Sequence, residues 1–149
     1  MTDEIHMGRA AKLALEMMRS NRGGPFGAVI VRDGEVIGAA CNERELRNDP
    51  TAHAEVLVLR EAGRKLGGWR ISDAVLYVTI EPCAMCAGAI VWARVPRVVY
   101  GAPDPKAGAA GSVLNVLAEP RLNWRPEVAG GLLADECGAL LSTFFGSRR

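Results

Sequence analysis

The sequence predicts an α/β fold, with helices covering the faces of a mixed β-sheet. Three observations predict it. Strand-length apolar runs alternate with helix-striped segments through the middle of the 149-residue chain, the pattern expected of parallel pairing. Earlier in the chain, Asp33-Gly34 separates two strand-like runs and reads as a tight hairpin turn, so that part of the sheet is antiparallel. Residues 74–80 are apolar almost throughout, as a strand buried on both faces would be.

The elements follow in order. Met7, Ala10, Ala11, Ala14 and Met18 recur at helical spacing, with Thr2 placed as N-cap and Gly23-Gly24-Pro25 as the stop. Residues 26–31 and 36–40 are the hairpin strands. Residues 52–66 form an apolar-striped helix ended by Gly67-Gly68. After the strand at 74–80, residues 83–94 are helical and 97–100 are a short strand. Residues 102–112, rich in Gly, Ala and Pro, form a loop. Residues 132–145 are the last helix, with Asp135 and Glu136 in its first turn, where the helix dipole favours carboxylates. No repeat, linker or low-complexity tract breaks this order, and the length suits one domain over 1–149.

Composition narrows the function classes. Hydrophobic residues are 49% and charged residues 23%, ordinary for a soluble globular protein. A net charge of +1 leaves any nucleic-acid footprint local rather than global. The acidic start, Met1-Thr2-Asp3-Glu4, lacks the apolar core of a signal peptide, and no apolar stretch approaches membrane-spanning length. The expected compartment is therefore the cytoplasm. Four cysteines do not make a disulfide scaffold here, and the C-x-x-C pair in a reducing compartment suggests metal or redox work.

The chemistry concentrates in His53-Ala54-Glu55 and Pro82-Cys83-Ala84-Met85-Cys86. Together they offer a metal one imidazole and two thiolates, with a carboxylate alongside. A structural zinc site is usually closed by four protein ligands, whereas a catalytic one leaves a position for water. Pro82 suits the first turn of a helix, which places Cys83 and Cys86 on one face at its N-terminal end, where the dipole favours thiolates. His53 lies in the first turn of the other helix, and the two helix ends meet at the edge of the sheet. A redox pair would explain neither His53 nor Glu55. A closed structural site would need Cys41, Cys137 or His6 as a fourth ligand. Cys41 and Cys137 sit among apolar neighbours and read as core, while His6 reads as a surface residue. The expected centre is catalytic, with Glu55 moving protons in a hydrolysis.

This H-x-E…P-C-x-x-C pattern resembles the cytidine/deoxycytidylate deaminase superfamily. Within it the chain is similar to the bacterial tRNA-specific adenosine deaminases from Gly27 to Arg149. The likeness is carried by residues 49–55, 76–90 and 97–102. It continues in Asp104-Pro105-Lys106-Ala107-Gly108-Ala109-Ala110-Gly111-Ser112, in residues 133–137, and in Phe144-Phe145 with its basic end. The resemblance implies a three-layer cytidine-deaminase-like fold. It implies one zinc ion on His53, Cys83 and Cys86, with Glu55 as the proton carrier in hydrolysis of adenosine to inosine at C6. It further implies Asn42 and the Ala54 backbone amide at the target base, a tRNA anticodon stem-loop as substrate, and a homodimer. Asp104, Lys106, Asn123, Phe145, Arg148 and Arg149 match positions expected to contact RNA. Gly23-Gly24-Pro25-Phe26-Gly27 departs from this pattern and is similar instead to the guanine deaminase branch. The alternative substrate is accordingly a free small molecule such as guanine, cytosine or a nucleoside. A non-catalytic RNA-binding subunit would be expected to lack Glu55, and a structural zinc module would unfold without metal.

Overall fold

A computed structural model describes residues 2–20, 22 and 24–146 of the chain, with the side chains of residues 145 and 146 excepted. The hairpin forms as its turn dictates. Strand β1 (Gly27–Arg32) and strand β2 (Glu35–Cys41) pair antiparallel around Asp33 and Gly34. Those two residues have φ of 51° and 77°, the left-handed pair that a type I′ turn requires. β1 also pairs antiparallel with β3 (Ala74–Ile80), and β3 pairs in parallel with β4 (Arg97–Ala102). A short β5 (Glu127–Ala129) extends the sheet in parallel, giving the order β2-β1-β3-β4-β5.

The alternation of side chains along β3 sets the layers. Leu76 and Val78 face one core, which they share with Val58 and Ala62 of α3 (Ala54–Leu66) and Ile90 of α4 (Ala84–Trp92). Tyr77 and Val75 face the other, with Met7 and Ala10 of α1 (Asp3–Arg19) and Cys137 of α5 (Ala134–Gly146), and Ile80 joins this second core at the end of the strand. Helices thus cover both faces, as the sequence predicts. Full burial of a side chain such as Leu76, Ile30 or Ile90 stabilises the fold by about 1.5–3 kcal/mol. Two core layers on one sheet therefore hold the strand ends rigidly enough to carry a site. Cys41 and Cys137 are buried, as expected.

The N-terminal helix is fastened to the sheet by charge. Asp3 accepts hydrogen bonds from Arg97 Nη1 and Nη2 at 3.0 and 2.8 Å and from the Tyr77 hydroxyl at 2.6 Å. These bonds, Arg97 first, hold the Asp3 carboxyl down at about 2. His6 corrects the surface expectation. It is buried against the Tyr77 ring, within 3.2 Å of Arg9 Nη1, and burial pushes its pKa down.

Other differences are local. α2 (Arg44–Arg47) and the 3-10 turn Val116–Ala118 are too short to leave a periodic signal in sequence. β5 is three residues long, mostly exposed and on the sheet edge, so neither alternation nor an apolar run marks it. α5 begins at Ala134 because Leu133 takes a positive φ of 55°. Among the described residues, no helix is long and apolar enough to cross a membrane.

Candidate active site

β2 and β3 point the same way, so the chain leaves both strands at one edge of the sheet. From this edge it enters α3 and α4. His53 is the N-cap of α3 and Cys83 the N-cap of α4, both with extended backbone. Each lies one residue outside the turn in which the sequence reading placed it. Pro82 therefore precedes the cap rather than opening the helix. The consequence is favourable: a cap residue is only half inside its helix, so its side chain can project off the end toward the other helix. The cap carbonyls start the ladders, His53 O accepting from Leu57 N–H at 3.0 Å and Cys83 O from Ala87 N–H at 2.8 Å.

His53 Nδ1 lies 3.7 Å from Cys83 Sγ and 3.5 Å from Cys86 Sγ, and the three ligand atoms fall within 4.8 Å of one another. Tetrahedral zinc, with Zn–S of about 2.3 Å and Zn–N of about 2.0–2.1 Å, sets neighbouring N and S ligands about 3.6 Å apart. The residues therefore fit zinc in donor type and in spacing. Cys83 is held down at about 5, chiefly by the hydrogen bond from Cys86, with help from backbone amides and His53. Cys86 is pushed up by the same shared proton and by burial. Glu55 is 4% exposed, and burial above all pushes its carboxyl up to about 7. A buried acid that ionises near neutrality, beside a metal-ligand cluster, is suited to taking up and returning a proton.

The other expected site residues divide into four groups. Asn42 is buried at the end of β2, and its Oδ1 accepts from Arg44 N–H at 3.0 Å. Its backbone N–H bonds Phe26 O at 3.1 Å, which places it beside the segment that resembles guanine deaminases. Ala54 is buried at the first position of α3, where an amide has no partner within the helix. Asp104 and Lys106 lie on the loop after β4. With Phe26, Pro105 and Leu141 they line a cavity of about 310 Å³. Asp104 Oδ1 also accepts from the N–H groups of Lys106 and Ala107 at 3.0 and 3.2 Å and so shapes its own loop. Asn123 sits exposed between the 3-10 turn and β5 and is not one of the residues of the His53–Cys83–Cys86 cluster. Phe145 belongs to α5 by its backbone, but its side chain lies outside the described residues, as do Gly23, Arg148 and Arg149. Phe144 is half-buried, and its ring approaches Gly24 so closely that a Cβ there would touch it at 3.4 Å.

Sequence reasoning gave no role to Thr79 or Glu81. Thr79 Oγ1 donates to Pro25 O at 2.9 Å and accepts from Gly27 N–H at 3.1 Å, tying the Gly24-Pro25-Phe26 segment to β3. Glu81 is buried and accepts several hydrogen bonds from the loop after β4. Burial raises its pKa, and the bonds from Ser112, Asp104 and Ala110 outweigh this and lower it. The available signal was a carboxylate directly after an almost wholly apolar strand, which must find donors if it is buried.

A three-layer α/β sheet that brings a zinc-fitting His–Cys–Cys cluster and a buried acid to its strand ends defines a hydrolytic deaminase of the cytidine-deaminase-like class. The MafB19-like deaminase family matches residues 1–149. A tRNA-specific adenosine deaminase of Bacillus subtilis (strain 168) is 50% identical over 143 residues, 96% of this chain and 88% of the relative. A structure solved in a study of A-to-I editing by tRNA:A34 deaminases superimposes with a TM-score of 0.86 at 43% identity, covering 91% of this chain and 98% of the other. A guanine deaminase from Bacillus subtilis aligns with a TM-score of 0.70 at 38% identity, covering 99% and 94%. The chain belongs to the family of bacterial tRNA-specific adenosine deaminases, within the MafB19-like deaminases.

Proposed function

We propose that this chain, as one domain, hydrolyses the wobble adenosine of a tRNA anticodon loop to inosine and releases ammonia. The observation that carries the reading is 50% identity across 96% of the chain to a tRNA-specific adenosine deaminase, with His53, Glu55, Cys83 and Cys86 together at one site. The 38% identity to a guanine deaminase is lower over a similar span, so the free-base alternative is not favoured.

His53, Cys83 and Cys86 hold the metal. Zinc, when bound there, supplies Lewis acidity and lowers the pKa of a water. Glu55 accepts the proton of the attacking water and returns protons to the ring nitrogen and the departing amine. Its burial keeps the proton from exchanging freely with solvent. Asn42 offers its side-chain amide to the nucleotide, and the Ala54 N–H faces the base. A single-stranded loop suits such a pocket because its bases can be splayed out and enclosed. Asp104, Lys106, Asn123, Phe145, Arg148 and Arg149 are the proposed RNA contacts.

A second copy of the chain is proposed to cover the open groove of about 660 Å³ between α3 and α4, lined by Val56, Leu59, Gly63, Trp69, Ala89 and Trp92. Trp69 and Trp92 are 58% and 75% exposed, whereas Ala87, Ile90 and Val91 of the same α4 are buried in the core. The cytoplasm is the proposed compartment, a reading supported by cysteines used as a metal-ligand pair (Cys83 and Cys86) and as buried core residues (Cys41 and Cys137) rather than in disulfides. The function is tested by incubating zinc-loaded protein with a stem-loop carrying a wobble adenosine, then digesting it to nucleosides. Inosine is the expected product, and unchanged adenosine would overturn the reading.

A further inference from the structure

The loop from Asp104 to Ser112 carries two of the proposed RNA contacts, yet it belongs to no helix or strand, and its Gly and Ala content gives it little stiffness of its own. Its position is set from outside by Glu81, which is 3% exposed. Glu81 Oε1 accepts from Asp104 N–H at 3.1 Å and from the Ser112 hydroxyl. Oε2 accepts from Ala110 N–H at 2.9 Å and from Ser112 N–H at 3.1 Å. The two ends of the loop are thereby gathered onto one carboxylate. At its middle, Gly108 lies so close that a Cβ would overlap the Glu81 carboxylate. The neighbouring residues complete the attachment: Ala109 N–H donates to Pro82 O at 2.8 Å, and Cys83 forms a β-bridge with Gly108.

We propose that Glu81 is a positioning residue for substrate binding. Its carboxylate fixes residues 104–112 against the Pro82-Cys83 turn, so that the loop and the metal-ligand end of α4 meet the RNA as one rigid surface. Glu81 touches no substrate and acts through Asp104 and Lys106, so the inference rests on the tRNA reading above. The chemistry requires a carboxylate. Every partner of Glu81 in the loop is a donor, and an ionised carboxylate is acceptor-only on both oxygens. Glutamine has nearly the same shape, but in either orientation its NH₂ group faces at least one backbone donor: Asp104 N–H if the Ser112 hydroxyl reverses to accept, or Ala110 and Ser112 N–H if it does not. A space-filling role would tolerate glutamine, whereas a positioning role does not.

The test uses the full-length zinc-loaded protein with Glu81→Gln and Ser112→Ala. Hydrogen exchange without substrate should show at least one of the Asp104, Ala110 and Ser112 amides exchanging about tenfold faster or more in Glu81→Gln, with β3 amides unchanged. In the deamination assay KM for the stem-loop should rise about tenfold, corresponding to the loss of about 1.4 kcal/mol, while kcat falls less and zinc stays bound. Unchanged exchange at all three of Asp104, Ala110 and Ser112 would overturn the proposal. If Glu81→Gln fails to fold, Ser112→Ala decides, because it removes one donor and leaves the carboxylate in place. A raised KM with full zinc content would sustain the proposal, and an unchanged KM would overturn it. A wild-type protein inactive on the stem-loop would refute the tRNA reading, while the exchange experiment would still judge Glu81.

Discussion

Replacing Asp3 with Asn tests whether the N-terminal helix is held by charge, and the structure fixes both the sign and the size of the effect. Asp3 is held at about 2 against an ordinary 3.8, first by the Arg97 hydrogen bonds and then by Tyr77. A carboxyl with a lowered folded-state pKa contributes stability that is fully present above its unfolded value near 4. That stability is lost as pH falls through 2. The fall from 3.8 to about 2, converted at 1.36 kcal/mol per pH unit, gives a ceiling of about 2.4 kcal/mol. The Asp3 side chain is 35% exposed, and solvent screening reduces the expected loss to about 1 kcal/mol. Asn keeps the shape and one acceptor oxygen but not the charge. Urea denaturation should show the variant about 1 kcal/mol less stable at pH 7 and pH 5, with about half of that difference remaining at pH 3. Thermal midpoints at pH 7 should differ by about 2–4 °C. The same comparison on metal-free protein separates this effect from proton-driven zinc loss. An equal destabilisation at pH 7 and pH 3 would refute the charge argument, and no destabilisation at pH 7 would refute the lock itself.

Other consequences concern the site. Glu55→Ala should keep one zinc per chain by metal analysis and lower the deamination rate by about 10²–10⁴-fold or more; turnover near wild type would remove Glu55 from the proton path. Chelating the zinc should abolish turnover while far-UV circular dichroism stays essentially native, because α3 and α4 are held by the core as well as by the metal; unfolding on chelation would make the centre structural. Trp92→Glu should convert a dimer to a monomer by light scattering, since Trp92 is 75% exposed on the apolar groove; an unchanged dimer would place the interface elsewhere.

The sequence made legible those parts whose signal is repeated or chemically specific. β3 shows as an apolar run of residues 74–80, and the structure gives it the same bounds. The hairpin shows in Asp33-Gly34, which only a primed turn accommodates well. The ligand cluster shows because histidine and cysteine at these spacings are rarely arranged by packing alone. What stayed hidden depends on three-dimensional partners. β5 has three residues and no pattern. His6 looks polar, but it is buried because it lies on the inner face of α1, against the Tyr77 ring of β3. Glu81 is visible in the sequence, yet its importance lies in donors from residues 104–112, and no local pattern names them. The caps behaved similarly. Sequence put His53 and Cys83 inside their helices, but as N-caps their side chains meet across the helix ends.

Ammonia release by the zinc-loaded protein across a substrate panel tests the central claim most directly. The panel holds a stem-loop with a wobble adenosine, free guanine, cytosine, cytidine and adenosine, with Glu55→Ala as the blank. The account predicts ammonia from the stem-loop alone, lost in the blank. Ammonia from guanine, with none from the stem-loop, would contradict it. That result would make the Gly24-Pro25-Phe26 segment beside Asn42, rather than the 50% identity to tRNA-specific relatives, the correct guide to the substrate.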